Sequence, residues 1–179
     1  MEKELPVRKS IRLRGYDYSQ DGAYYITICT QDRANLYGDV IVGADLVSAR
    51  VELSGAGRMI DRIYTEIVSS FHDVFCDKYI IMPNHFHCIL FIKRADTRSA
   101  PTAAIGSVVQ AFKSKTTVAY INGVKAGSYT PFNKRLWQRN YYEHIIRNED
   151  DYMRIYRYID ENPLKWKEDD YYGQYNANR

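Results

Sequence analysis

His85-Phe86-His87 puts two imidazoles two residues apart. On a β-strand, residues i and i+2 face the same side, so both rings project together. Two imidazoles so placed can bind one metal ion. Phe86, Cys88, Leu90 and Ile92 point the other way, while Ile89 and Phe91 continue the histidine face. A strand that is apolar on both sides belongs in the middle of a sheet. Burying imidazoles without partners costs free energy, which a metal or strong hydrogen bonds must offset. Two hydrogen-bonded structural histidines therefore remain the alternative to a metal pair.

A second chemical group lies near the C-terminus. At about 100° per residue, Tyr152, Ile155, Tyr156 and Ile159 form one apolar helical stripe. Tyr158 falls off that stripe, on the polar edge with Asp151, Arg154 and Asn162. Tyr158 and Asn162 are one turn apart, so a phenol and an amide stand side by side. An amide oxygen completes the coordination of a hard cation such as Mg²⁺ or Mn²⁺. The alternative is an Asn162 that only ends the helix and a Tyr158 that only covers surface. Combined, the two groups describe an ion held by His85, His87 and Asn162 beside a tyrosine hydroxyl. A phenol, with a pKa of about 10, is a weak nucleophile until activated. A divalent ion that polarises a phosphodiester and holds it for in-line attack compensates for that weakness. The products are a covalent protein–DNA link and a free 3′-hydroxyl.

The elements that must position these groups follow from the pattern. Ala23–Thr30 is β-branched and aromatic and reads as a strand, with a second near Asp39–Val42 and a small one at Val51–Leu53. Glycines make 43–57 a loop. Met59, Ile60, Ile63, Tyr64 and Ile67 recur at three and four, which predicts a helix over 58–68. Lys78–Met82 and Phe86–Ile92 are strands separated by a Pro83-Asn84 turn. A loop over 93–104, a helix over 105–121 and a loop to about 133 follow. The last helix spans 149–161 and stops before Pro163, because proline disfavours helical geometry in the residue ahead of it. This order predicts an α+β fold of the ferredoxin-like, split βαβ kind, with a mainly antiparallel sheet, helices on one face and a C-terminal helix carrying Tyr158. The 179 residues make one domain, with 1–22 as a basic arm and 167–179 as a flexible tail. Ala44–Ala49 and Ala95–Ala100 match at four of six positions, a short echo inside two expected loops.

Charge is unevenly distributed although the net value is only +3. Residues 97–142 hold seven Lys and Arg and no Asp or Glu, a footprint suited to a polyanion. Its aromatics, Phe112, Tyr120, Tyr129, Phe132, Trp137, Tyr141 and Tyr142, could stack on unpaired bases or could equally fill a core. Three cysteines without a CxxC pair, no apolar span and no signal peptide lead to the expectation of a cytoplasmic, nucleoid-associated protein with no membrane partner.

Five segments carry a family resemblance: Arg12–Thr30, MPNHFHCIL at Met82–Leu90, AFKSKT at Ala111–Thr116, LWQRNYYEHIIRNEDDY at Leu136–Tyr152 and YIDENP at Tyr158–Pro163. In this order they resemble the REP-associated tyrosine transposases, which are single-tyrosine HUH transposases related to insertion sequence two hundred. The resemblance spans roughly residues 8–166, and 43–57 and 93–104 share it least. It implies a ferredoxin-like domain, His85 and His87 as metal ligands, Asn162 as the third ligand and Tyr158 as the nucleophile. It also implies cleavage of single-stranded DNA near imperfect palindromic hairpins through a 5′-phosphotyrosine. The candidate DNA contacts are Arg12 and Arg14 in the arm, Lys113, Lys115, Trp137 and Arg139 in the basic window, and His144 and Arg147 in the EHIIR block, where a structural role is the first reading of His144 and DNA contact the second. Monomer and homodimer both remain open. Rival readings are a non-catalytic hairpin-binding protein, a replication or conjugation nicking enzyme, and a metal oxygenase drawing a carboxylate from Asp160 or Glu161.

Overall fold

A computed structural model of the protein describes residues 21–44, 48–93 and 105–172. Arg12, Arg14, most of the arm and the second copy of the echo lie outside the described residues. The elements are β1 (Gly22–Cys29), β2 (Gly38–Val42), β3 (Ala49–Leu53), α1 (Gly55–Ser70), β4 (Val74–Ile81), β5 (His85–Ile92), α2 (Ile105–Lys125), β6 (Tyr142–Ile146) and α3 (Glu149–Glu161). The main sheet has the order β4-β5-β1-β6 with every pair antiparallel. With β2 and β3 set aside as a separate hairpin, the chain runs βαββαβ, the split βαβ arrangement.

Strand periodicity divides the sheet's side chains between two faces. Tyr24, Ile26, Ile28, Phe86, Cys88 and Leu90 enter the large core with α1 and α2. Tyr25, Ile89 and Phe91 pack instead with Ile155 and Ile159 of α3. The two crossover helices therefore share one face, and α3 lies across the other, where the histidines are. β5 is interior to the sheet, as its two-sided apolar pattern requires.

Three differences from the expected elements have physical causes. β6 was not anticipated; it is an edge strand with the sequence Tyr-Glu-His-Ile-Ile, too polar to show a strand pattern. It completes the fold by pairing with β1 through Thr27–Tyr142 and Tyr25–His144. Next, α1 starts three residues early, inside the expected glycine loop. Ser54 caps it by accepting from the Gly57 amide at 3.1 Å. Gly57 is there for closeness, since a Cβ on it would meet the Tyr37 carbonyl oxygen at 2.1 Å. Finally, of the expected tail 167–179, residues 167–172 continue a 3₁₀ turn at Trp166–Glu168 and fold back over the histidine face.

α3 ends as the sequence predicts. Asn148 caps its start, accepting from the Asp151 amide at 2.9 Å, and three acidic residues occupy the first turn. Lys78 and Asp160 pair across to β4, and the Lys78 ammonium lies 4.6 Å over the Tyr156 ring. These contacts fix the helix end that carries Tyr158 and Asn162. Among the described residues no helix is long and apolar enough to cross a membrane.

Candidate active site

His85 and His87 are fully buried, with ring centroids 4.4 Å apart. Each has one nitrogen fixed and one left over. His87 Nδ1 lies 2.8 Å from the Tyr25 hydroxyl and 2.9 Å from Thr27 Oγ1. His85 Nδ1 lies 2.9 Å from Asn84 Oδ1. Asn84 donates its amide hydrogens to the carbonyls of Arg33 and Tyr171. Its Oδ1 must therefore accept, which sets the His85 proton on Nδ1 and a lone pair on Nε2. Partners of this kind fix the tautomer and tilt of metal-ligating histidines.

The leftover atoms converge on one chemistry. His85 Nε2, His87 Nε2 and Asn162 Oδ1 are all buried without a hydrogen-bond partner among the described residues. Asn162 is 2 % exposed. It donates Nδ2 to Asp169 Oδ2 at 2.8 Å, leaving Oδ1 as its free acceptor. The amide is near enough to His85 and Tyr158 to perturb both titrations. Orphaned buried polar atoms are costly and call for an explanation. With the His87 proton on Nδ1, shared with the Tyr25 and Thr27 hydroxyls, two imidazole nitrogens and an amide oxygen would offer lone pairs, a set that fits a divalent cation with positions left for water or a phosphate oxygen. No group of three His, Cys, Asp or Glu among the described residues could hold a metal ion, so a cation here would need the Asn162 amide as a third donor.

Burial drives the protonation states in the same direction. It holds His87 at a pKa of about 3 and lowers His85 well below its usual range, where the neighbouring His87 adds to the shift. Both imidazoles are thus neutral at pH 7, as metal ligation requires.

Tyr158 stands at the edge of this group, 41 % exposed. Its ring centroid is 5.4 Å from that of His87 and 6.3 Å from that of Tyr25. Burial pushes the phenol well above its ordinary pKa, Asp169 adds to the shift, and the Asn162 amide opposes it. The residue lies between two clefts. One, of about 240 Å³, is lined by Asn162, Lys165, Asp169 and Asp170. The other, of about 220 Å³, is lined by Tyr25, Tyr142, His144 and Arg154. The Tyr171 ring covers the histidines with its centroid 4.6 Å from His85, and Arg33 stacks over Tyr171 at 4.7 Å.

All four expected centre residues, His85, His87, Tyr158 and Asn162, are thus neighbours within one chain. The carboxylates of the oxygenase reading are engaged elsewhere: Asp160 pairs with Lys78 and Glu161 with Lys165.

The expected DNA contacts fare unevenly. Trp137 is buried between Tyr37 and Phe112, at 5.2 and 5.3 Å between centroids, and its Nε1 donates to Thr116 Oγ1 at 2.9 Å. It is a core residue and cannot stack on a base. Phe112 and Tyr120 are core residues as well. The Lys113 ammonium is turned inward, donating to the carbonyls of Gln138, Arg139 and Asn140 at 2.9, 3.3 and 3.1 Å. It pins that loop, with carbonyl partners in place of the expected phosphate role. Lys115 and Arg139 are exposed, on the α2 side away from Tyr158. His144 faces the Tyr158 cleft, and its Nε2 bonds Asp151 Oδ2 at 2.7 Å. Arg147 is exposed just beyond it.

The sequence reading missed Tyr25, Thr27, Asn84, Asp169 and Tyr171. Tyr25 and Thr27 were findable, since they alternate with the core residues of β1. Asn84 was adjacent to the motif. Nothing in the local pattern marked Asp169 or Tyr171.

Comparison with known proteins gives the family and the fold. Residues 54–162 match the family described as IS200-like transposase. A Haemophilus influenzae protein described as uncharacterized is 34 % identical over 183 residues, spanning 92 % of this chain and 93 % of that one. The fold matches that of a REP-associated tyrosine transposase bound to a REP hairpin, with a TM-score of 0.57, 19 % identity, and coverage of 88 % of this chain and 74 % of that one.

Proposed function

Because the chain belongs to the IS200-like transposase family, we propose that it is a divalent-metal-dependent strand transferase that cuts and rejoins single-stranded DNA beside imperfect palindromic hairpins, with Tyr158 as nucleophile. The observation that supports this reading is that His85 Nε2, His87 Nε2 and Asn162 Oδ1, three buried atoms without a hydrogen-bond partner among the described residues, belong to side chains packed beside Tyr158. The bound form of the fold neighbour supports hairpin DNA as the class of partner.

The protein's own groups have separable tasks. His85, His87 and Asn162 would hold Mg²⁺ or Mn²⁺, which would supply Lewis-acid polarisation of the scissile phosphate. Asn84, Tyr25, Thr27 and Asp169 orient those three side chains. Tyr158 Oη attacks phosphorus in line, the P–O3′ bond breaks, the phenolic proton passes to solvent, and the leaving 3′-oxygen takes a proton from solvent. One product carries a 5′-phosphate esterified to Tyr158 and the other a free 3′-hydroxyl. Attack of a 3′-hydroxyl on that ester reverses the chemistry and rejoins DNA. The raised phenol pKa keeps Tyr158 protonated at rest, so its proton must leave as the bond to phosphorus forms.

The test is adduct formation with a hairpin-flanked oligonucleotide and Mn²⁺ on a denaturing gel. Tyr158→Phe is expected to remove the adduct and keep binding. His85→Ala is expected to remove metal-dependent cleavage. Cleavage that persists unchanged in chelator contradicts the ligand roles.

A further inference from the structure

The cleft on the β6 side of Tyr158 has no task in the chemistry above, yet its lining is specific. Thr27 pairs with His87 on one side and with Tyr142 on the other, so His87, Thr27 and Tyr142 form one row across β5, β1 and β6. Two strand spacings separate the row's ends, about 10 Å. That is within the reach of one nucleotide from a phosphate held at the histidines. Tyr142 ends the row, a residue 54 % exposed whose ring is braced edge-on by Tyr25 at 6.0 Å between centroids. Beside it are two cationic or hydrogen-bonding groups, His144 and Arg154, tied by a shared carboxylate. Asp151 bonds His144 Nε2 through Oδ2 and Arg154 Nη2 through Oδ1, at 2.7 and 2.5 Å. The carboxylate takes one edge of the guanidinium, whose other donors stay in solvent, since the Arg154 side chain is 67 % exposed.

We propose that this cleft is a nucleotide subsite: the base flanking the scissile phosphate stacks on Tyr142, and Arg154 with His144 receives that nucleotide's backbone phosphate. The proposal rests on the reading of Tyr158 as nucleophile and adds the substrate contact next to it. An exposed aromatic ring beside a fixed guanidinium is the pairing that single-stranded nucleic acid uses, because every base offers a π-face and every linkage a negative charge. The volume, about 220 Å³, lies below the roughly 300–1,000 Å³ of small-molecule pockets. It suits one planar ring and not a longer segment. The subsite therefore selects for an unpaired, unstacked nucleotide at the cleavage position and is tolerant of which base it is.

The experiment compares Tyr142→Ala and Tyr142→Phe on three oligonucleotides: fully based, abasic on the 5′ side of the scissile phosphate, and abasic on its 3′ side. On the fully based substrate Tyr142→Phe is expected to match wild type, while Tyr142→Ala raises KM about tenfold with little change in kcat. That difference should vanish on one of the two abasic substrates, where wild type itself weakens. Arg154→Gln should raise KM and lower the salt dependence of binding by about one phosphate contact. Wild-type kinetics for Tyr142→Ala, or a deficit that persists on both abasic substrates, overturns the subsite. Tyr158→Phe, run in parallel, separates the two readings. An adduct that survives it refutes the nucleophile, whereas a Tyr158-dependent adduct with indifferent Tyr142 variants refutes the subsite alone.

Discussion

The two faces of the β4-β5-β1-β6 sheet are built from alternate residues of the same strands, and they do opposite things. The α1/α2 face is filled with rings and branched chains: Tyr24, Ile26, Phe86, Phe112 and Trp137 bury one another. Its hydroxyl and indole donors mostly find partners inside, as Trp137 does on Thr116 and Tyr120 on the Thr130 carbonyl. The α3 face holds a small apolar cluster around Ile89, Ile155 and Ile159. Next to it stand two neutral imidazoles and an amide whose last lone pairs go unmatched. One face buries surface for stability, while the other tolerates a local cost that a bound cation would offset. A period of two lets one strand carry both assignments: Phe86 and Cys88 serve the core, and His85 and His87 serve the centre.

That contrast can be broken from either side. The largest effect belongs to the polar face: His87→Ala should bring Mn²⁺-dependent cleavage to background while the fold survives, read by adduct yield and circular dichroism. Its neighbour on the other face should do the reverse. Phe86→Ala leaves a cavity among Tyr64, Phe112 and Tyr79 and should lower unfolding free energy by about 3–5 kcal/mol in urea titrations. Equal effects of the two on stability would erase the distinction. A middle-sized effect is expected at Asn84. Asn84→Ala removes the partner of His85 Nδ1 and should weaken Mn²⁺ binding about 10–100-fold by calorimetry.

Two smaller effects sharpen the comparison. Lys113→Met should cost about 1–3 kcal/mol of stability through the loop its ammonium holds. The salt dependence of DNA binding should not change. A reduced salt slope would restore Lys113 as a phosphate contact. The metal-free protein should also lose stability as pH falls below about 6.5. The sign follows from the histidines: burial depresses both folded-state pKa values, so between that pH and the lowered values the unfolded chain binds protons that the folded chain does not. The slope is about 1.4 kcal/mol per pH unit for each histidine, measured by urea titration in chelator. A flat profile from pH 7 to 5 would mean the imidazoles are solvated.

The sequence made the centre more legible than its surroundings. His85 and His87 announce themselves by spacing on an apolar strand, and Tyr158 and Asn162 by one helical turn. Short-range periodicity is enough for both. β6 was invisible because Tyr142-Glu143-His144 is too polar for a strand pattern, with Tyr142 against Tyr25 and His144 bonded to Asp151. The basic window misled for a related reason. Charge and aromatic content cannot say which way a side chain turns, and Lys113 and Trp137 turn inward. Asp169 and Tyr171 reach the centre only because the chain folds back after Pro163, a long-range event that no local signal encodes.

The central claim is that the unmatched donors of His85, His87 and Asn162 make Tyr158 the residue that takes the DNA. The direct measurement is peptide mass mapping of the covalent adduct formed with a 3′-extended hairpin oligonucleotide, with and without Mn²⁺. The account predicts a nucleotide mass on the peptide containing Tyr158, with the phosphoester on that residue, and none when the ion is chelated. A modification on Tyr152, Tyr156 or Tyr171, or one that forms equally well in chelator, would contradict it.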